Sequence, residues 1–400
     1  MGDKMQRTIL HCDLNNFFAS VACRDNPLLC SKPVAVCGSV KQRRGIVLAK
    51  NELAKSFGVK TAEPIWQAKA KCKDLILVPP NYDRYLHFST LAAQIYSDYT
   101  DLVEAFGIDE CWLDVTGSRL LFGDGEQIAE CIRNRIKNEL GLTVSIGVSF
   151  NKAFAKLGSD LKKPDAITVI PYTEYKSIVW PLKISCLLGI GPNTEKRLHN
   201  VGIFTIGNLA ETAPTILKSL LGKNGELLFN LANGKDLSPV KPLSLKTVPK
   251  SIGRSTTLCE DTSSPCVIQS LLFSLSDEIA ALLRADGLEA KAVQIFVRHD
   301  NLSSNVFQTV LSHPTQLSCV IAKEGMTLFS KHRCYDRPIR AAGIRASELC
   351  EKHCCRQLNM FDNPEQEAKL LSIESCVDTI RSRFGRQSVS RAISMLGEKR

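Results

Sequence analysis

Apolar and polar positions along this chain change period from segment to segment. Short apolar runs beginning at Ile9 and closed by Asp13, and at 103–108, 112–115, 143–148 and 167–170, read as buried strands. Between them, 82–99 and 126–140 repeat apolar residues at helical spacing. The order strand, helix, hairpin, helix, strand predicts an α+β sheet with helices on one face. Residues 25–80 form a smaller basic unit around Lys41-Gln42-Arg43-Arg44-Gly45, with an apolar Ile46-Val47-Leu48-Ala49 and a helical Glu52-Leu53-Ala54-Lys55. From 173 to 240 short helices are punctuated by glycine, and the proline- and lysine-bearing stretch 241–249 reads as an exposed linker. Strand-and-helix alternation returns over 250–349, with strands at 292–298, 305–311 and 339–345.

Composition bounds this picture. A chain of 400 residues exceeds one ordinary core and suggests roughly two to four domains. The net charge of +10 permits a polyanionic partner without requiring one. Asp3, Lys4, Arg7 and His11 interrupt any signal-peptide core, and no apolar stretch approaches the roughly 20 residues that span a bilayer. No membrane role is expected, and a cytoplasmic location is. The 16 cysteines include no CxxC pair, which favours free thiols in a reducing compartment over a disulfide framework. Cys350, His353, Cys354 and Cys355 could hold a soft metal, but they lack a second half-site and read as incidental.

The carboxylates change the picture more. Asp13 closes the first apolar run, and Asp109 and Glu110 follow Gly107, where a hairpin could turn. Taken singly, such acids are most often solvated caps. Neighbours in a regular strand point to opposite faces, so Asp109 and Glu110 can share a site only if a turn or bulge intervenes. Converging, the three acids would make a hard-cation site. Mg²⁺ suits it best, because it takes one or two carboxylates and leaves room for phosphates. Two such ions roughly 4 Å apart would clamp both oxygens of a phosphoryl displacement.

Two further segments handle phosphate. Leu188-Gly189-Ile190-Gly191-Pro192-Asn193-Thr194-Glu195-Lys196-Arg197, followed by Gly202 to Gly207, reads as a helix-hairpin-helix. Gly189 and Gly191 let the backbone turn, Pro192 suits a first helical turn, and the free N–H groups there can grip a phosphodiester. Lys152, Lys156 and Lys163 sit four and seven residues apart, near one helical face. On spacing alone that is a solvated basic face; beside three acids, one lysine could neutralise a triphosphate.

With these residues assembled, the chain resembles the Y-family (DinB/UmuC-type) DNA polymerases, the lesion-bypass enzymes, along almost its whole length. The resemblance is carried by Asp13-Leu14-Asn15-Asn16-Phe17-Phe18-Ala19-Ser20-Val21, Gly107-Ile108-Asp109-Glu110-Cys111-Trp112-Leu113-Asp114-Val115-Thr116, and Gly147-Val148-Ser149-Phe150-Asn151-Lys152. Lys156-Leu157-Gly158-Ser159-Asp160, Lys163-Pro164, the helix-hairpin-helix and Lys250-Ser251-Ile252-Gly253-Arg254 add to it. It implies an α+β multidomain right hand. The palm would cover 1–24 and 82–172, the fingers 25–81, a helix-hairpin-helix thumb 173–240, a linker 241–249, and a little finger 250–349. A C-terminal tail would cover 350–400.

The same resemblance implies a template-directed DNA polymerase of low processivity and fidelity, a monomer using two Mg²⁺ ions, dNTPs and primer–template DNA. Asp13, Asp109 and Glu110 look like the catalytic metal ligands, joined by the Leu14 carbonyl. Phe18 aligns with the steric gate that clashes with a ribonucleotide 2′-OH. Phe17 joins it in the nucleotide set, although its position fits a core phenylalanine better. Lys163 matches a triphosphate contact. Gly189, Gly191, Lys250, Arg254, Arg340 and Arg345 match residues that hold DNA.

One departure stands out. Where these enzymes usually carry a Tyr and an Arg on the fingers, alignment through Phe57-Gly58-Val59 gives Glu52 and Lys55. Lys55 can serve as a point charge without the bidentate fork. Glu52 would repel a triphosphate unless it turns away or pairs with Lys50 or Lys55. Near the C-terminus, Gln357-Leu358-Asn359-Met360-Phe361 resembles the bacterial sliding-clamp-binding peptide, with Gln357, Leu358, Met360 and Phe361 as anchors. The helical pattern at 368–373 and 377–384 has no role in this scheme. Two rival readings remain: an inactive relative kept as a DNA- and clamp-binding scaffold, for which three clustered acids have no use, and a nucleotide cyclase, which leaves thumb and little finger unexplained.

Overall fold

The structure, a computed structural model, describes residues 6–39, 43, 45–243, 245, 248–352 and 363–395. The chain forms two compact units, one of 1–38 with 45–246, the other of 39–44 with 247–400.

In the first unit, β1 (Ile9–Leu14) leads through the helix Phe17–Asp25 into β2 (Val34–Cys37), β3 (Val47–Lys50) and β4 (Ile76–Val78), a small sheet ordered β3-β2-β4. The helix Tyr82–Ser97 returns the chain to β5 (Val103–Ala105), β6 (Glu110–Asp114), β7 (Val144–Ser149) and β8 (Ile167–Ile170). With β1 these form a five-stranded sheet ordered β5-β6-β1-β7-β8, in which β7 and β8 alone run parallel.

Alternation along β1 decides where the helices go. Leu10, Cys12 and Leu14 face a core shared with Phe88 and Ile95 of Tyr82–Ser97 and with Ile128 and Ile132 of the helix Gly125–Arg135. Ile9, His11 and Asp13 point the other way, where the helix Lys152–Leu161 lies against them. Helices therefore cover both faces, which corrects the one-face expectation. Gly147 permits it: a Cβ there would stand 1.9 Å from the Ala155 carbonyl oxygen, so any side chain would force helix and strand apart.

Boundaries moved for local reasons. The predicted strand 103–108 stops at Ala105, because the Phe106 and Gly107 N–H groups both turn to the Glu110 carbonyl at 2.9 and 3.3 Å. The predicted helix 126–140 starts one residue earlier, under a capping box between Asp124 and Gln127, and ends in a π turn at Ile136–Leu140. In the predicted helix-hairpin-helix, the 3₁₀ turn Ile184–Cys186 stands before the hairpin, and Gly189 (φ 91°) leads to the helix Pro192–His199. At the predicted linker's edge, Val240 is buried and the Lys241 N–H donates to Glu104 Oε2 at 2.9 Å.

The second unit is built on an antiparallel sheet of β9 (Ser251–Thr262), β10 (Leu288–His299), β11 (Ser304–Thr315) and β12 (Ile339–Glu351), ordered β11-β10-β12-β9. Ile268, Leu272, Ile279 and Leu283 of the helix Pro265–Ala285, with Ile321 and Phe329 of Ser318–Lys331, pack on one face. Pro265–Ala285 is long and apolar enough, by length and composition, to cross a bilayer, which corrects the expectation that no segment comes close. Its buried side chains make it the core helix of this sheet instead. The clamp-like residues Gln357, Leu358, Met360 and Phe361, with His353, Cys354 and Cys355, lie outside the described residues.

Candidate active site

The register of β1 against β6 sets Asp13 opposite Glu110. The turn at 106–109 brings Asp109 beside them, its carbonyl accepting the Leu14 N–H at 3.0 Å. That turn resolves the parity problem of two neighbouring acids, since Asp109 precedes the strand that Glu110 begins.

From the opposite side, the helix Lys152–Leu161 delivers cations. Lys156 Nζ lies 3.1 Å from Asp13 Oδ2 and 3.0 Å from Glu110 Oε1. Lys163, just past the helix, lies 2.7 Å from the same Asp13 oxygen and 2.8 Å from Asp160. Lys152 does not join them. It turns to Glu104 at 2.8 Å and over the Trp112 ring at 4.3 Å, so the predicted trio divides into two site lysines and one structural lysine.

The charges are unevenly balanced. Burial, reinforced by the charges of Asp13 and Glu110, pushes the Asp109 carboxyl up to about 6. Burial also raises Asp13, outweighing the nearby ammonium groups. Burial opposes ionisation of Glu110 too, but His11 and Lys156 prevail and hold it down to about 2. His11 is buried, which lowers its pKa; its Nδ1 is 2.9 Å from Ser159 Oγ, and its Nε2 stands 3.5 Å from Glu110 Oε2.

As the side chains stand, no three acid, histidine or cysteine groups among the described residues are close enough together to coordinate a metal. Asp13 and Glu110 are drawn to Lys156 instead. The donor set still fits a hard divalent ion. It offers acid oxygens that repel one another, and the Lys156 ammonium between Asp13 and Glu110 shows that positive charge is favoured there.

Phe18 and Phe17 separate as their positions suggest. Phe17 is 3% exposed in the core, so only its backbone can meet a nucleotide. Phe18 is partly exposed and stacks on Tyr85 with ring centroids 4.0 Å apart. Glu52 does not turn away: it accepts from Asn16 Nδ2 at 2.8 Å and pairs with Lys55 at 3.3 Å. Gly189 and Gly191 are exposed at the start of the helix Pro192–His199.

In the second unit Arg254 and Arg345 lie on the paired strands β9 and β12, but not on one face. Arg254 pairs with Ile344, a core-side residue, and its guanidinium lies 3.4 Å from Glu278 of the covering helix. Arg345 pairs with Gly253 on the helix-free face and is exposed. Lys250 is exposed just before β9, and Arg340 is partly exposed in β12. Sequence reading missed His11, Asn16 and Asp160. The polar breaks they make in or beside apolar runs were the only signal.

Residues 12–160 match the impB/mucB/samB family, and residues 249–360 match that family's C-terminal domain. The chain is 47% identical to a DNA polymerase IV of Acetivibrio thermocellus, over 97% of this chain and 98% of the relative. It is 37% identical to DNA polymerase IV 1 of Bacillus subtilis, over 98% and 94%. Among solved structures it is similar to a Y-family DNA polymerase chimera, with a TM-score of 0.77 and 26% identity, covering 86% of this chain and 99% of that one.

Proposed function

The chain belongs to the Y-family, DinB-type DNA polymerases, and is a DNA-directed DNA polymerase of the translesion kind, and from that premise we propose how its own residues carry the reaction. Primer–template DNA and dNTPs are its substrates, and divalent-metal dependence comes with the family. We assign Asp13, Asp109 and Glu110 as ligands of two Mg²⁺ ions, with the Leu14 carbonyl as a further donor. When bound, the ions supply the charge that lowers the pKa of the primer 3′-hydroxyl and steadies the departing pyrophosphate. The observation that carries this assignment is Lys156 held between the buried Asp13 and the half-buried Glu110, 3.1 Å from the one and 3.0 Å from the other.

The chain's own groups do the rest. Lys163, with Lys156 behind it, would neutralise the triphosphate, its ammonium turning from Asp13 to phosphate where a cation shares that carboxylate. Lys55 adds a point charge from the fingers. Phe18, braced on Tyr85, bars the 2′-hydroxyl. The exposed amides beside Gly189 and Gly191 hold the DNA backbone irrespective of base. Arg345, Arg254, Arg340 and Lys250 hold the template from the second unit, Arg345 from the sheet's open face. The domain scheme follows the right hand: palm 1–24 and 82–172, fingers 25–81, thumb 173–240, little finger 250–349. Residues 357–361 recruit a sliding clamp, and the enzyme works as a monomer in the bacterial cytoplasm.

Primer extension tests the reading. Purified chain with a primed template, dNTPs and Mg²⁺ is expected to lengthen the primer, and to stop when a chelator removes the metal. Tight binding of the DNA without extension would overturn it.

A further inference from the structure

Asn16 is the residue just before the helix Phe17–Asp25, with φ 48° and ψ 36°. An asparagine that caps a helix does so from extended backbone, turning its side chain back onto the helix's free N–H groups, whereas Asn16 is left-handed. Here it makes no such bond. Its Nδ2 instead donates to Glu52 Oε1 at 2.8 Å, a residue 36 positions away. The same oxygen receives the Lys55 ammonium at 3.3 Å. Lys50 adds its charge nearby and donates to Thr61 Oγ1 at 3.0 Å. One carboxylate oxygen thus joins the turn that leads into Phe18 to the cation on the helix Glu52–Ser56.

We propose that Glu52 is a positioning residue for the incoming nucleotide: its charge holds Lys55 away from the triphosphate, and its oxygen fixes the turn that presents Phe18 to the sugar. The proposal rests on Lys55 as a triphosphate contact. When a nucleotide arrives, the Glu52–Lys55 pair opens and the ammonium passes to phosphate. The two side chains are 46% and 48% exposed, so the exchange is easy. An exposed pair of this kind is worth a factor of about two to five in affinity. Glu52 therefore tunes nucleotide binding at the phosphate end without blocking it, and couples that end to sugar selection.

Single-nucleotide incorporation by the full chain on primed DNA separates the parts. Glu52→Gln keeps an acceptor for Asn16 and drops the charge. It should lower KM for dNTP about two- to fivefold, with kcat and discrimination against ribonucleotides unchanged. Glu52→Ala drops both, and should in addition weaken ribonucleotide discrimination by roughly threefold. An unchanged KM in Glu52→Gln, or equal discrimination in the two variants, overturns the inference. Added to Lys55→Ala, Glu52→Gln should have no further effect on KM. A persisting fall would mean that the carboxylate acts on the triphosphate directly, against the proposal. Lys55→Ala alone with unchanged KM would remove the nucleotide reading of Lys55 itself, and this inference with it.

Discussion

Each unit of this polymerase holds a cluster of three carboxylates, and the two clusters differ in the cations that face them. In the first unit Asp13, Asp109 and Glu110, with Asp160 at the edge, meet two lysines. In the second, Asp277, Glu374 and Asp378 meet three arginines. Arg284 bonds Glu374 and, at 2.7 Å, Asp378. Arg381 reaches Asp277 at 3.2 Å. Arg391 spans Asp277 at 2.9 Å, Glu374 at 3.3 Å and the Ser318 hydroxyl at 2.6 Å. Guanidinium groups grip several oxygens in fixed geometry, whereas an ammonium is a mobile point charge. The arginine cluster is balanced and serves as a joint, pinning the helix Pro364–Phe384 and Arg391 onto the helix Pro265–Ala285. The lysine cluster carries surplus negative charge, which under the proposed assignment a bound cation would relieve.

Four changes would break or sharpen this contrast. The largest effect falls on Asp109→Ala, which should cut nucleotide incorporation by at least about 10³-fold while leaving Tm unchanged or raised, since it removes a surplus charge. An active variant would place the chemistry elsewhere. Arg284→Ala should cost about 3 kcal/mol in denaturant unfolding, because it strands Asp378 and leaves Glu374 with Arg391 and Ser318 alone, and Mg²⁺ should restore none of it. Lys156→Met should cost about 2 kcal/mol in metal-free buffer and recover most of that in millimolar Mg²⁺. Recovery of both variants, or of neither, would erase the distinction between joint and site. Smallest is the effect of Mg²⁺ on the unaltered chain, where a gain of about 1 kcal/mol should raise Tm by roughly 2–4 °C.

What the sequence disclosed follows from the range of the interactions involved. Asp13 could be singled out because it closes a short apolar run. Asp109 and Glu110 were legible because Gly107 marked the turn that two neighbouring acids require, and the turn at 106–109 is there. The division among Lys152, Lys156 and Lys163 was not legible. Helical spacing shows which lysines share a stripe, not which face of the sheet the helix covers, and that depends on Gly147 meeting Ala155. The tie between Asn16 and Glu52 joins two segments that look unrelated in sequence. The helix Pro364–Phe384 had no reading for the same reason, since its partners Asp277 and Arg284 lie about 90 to 104 positions away and sit inside an apolar helix.

The central claim is that Asp13, Asp109 and Glu110 together hold the divalent ions. Mn²⁺ binding, followed by electron paramagnetic resonance with primer–template and a non-hydrolysable dNTP analogue, tests it most directly. The unaltered chain should take up about two ions. The variant carrying Asp13→Asn, Asp109→Asn and Glu110→Gln should lose both while still binding DNA. Equal uptake by the two proteins would contradict the account.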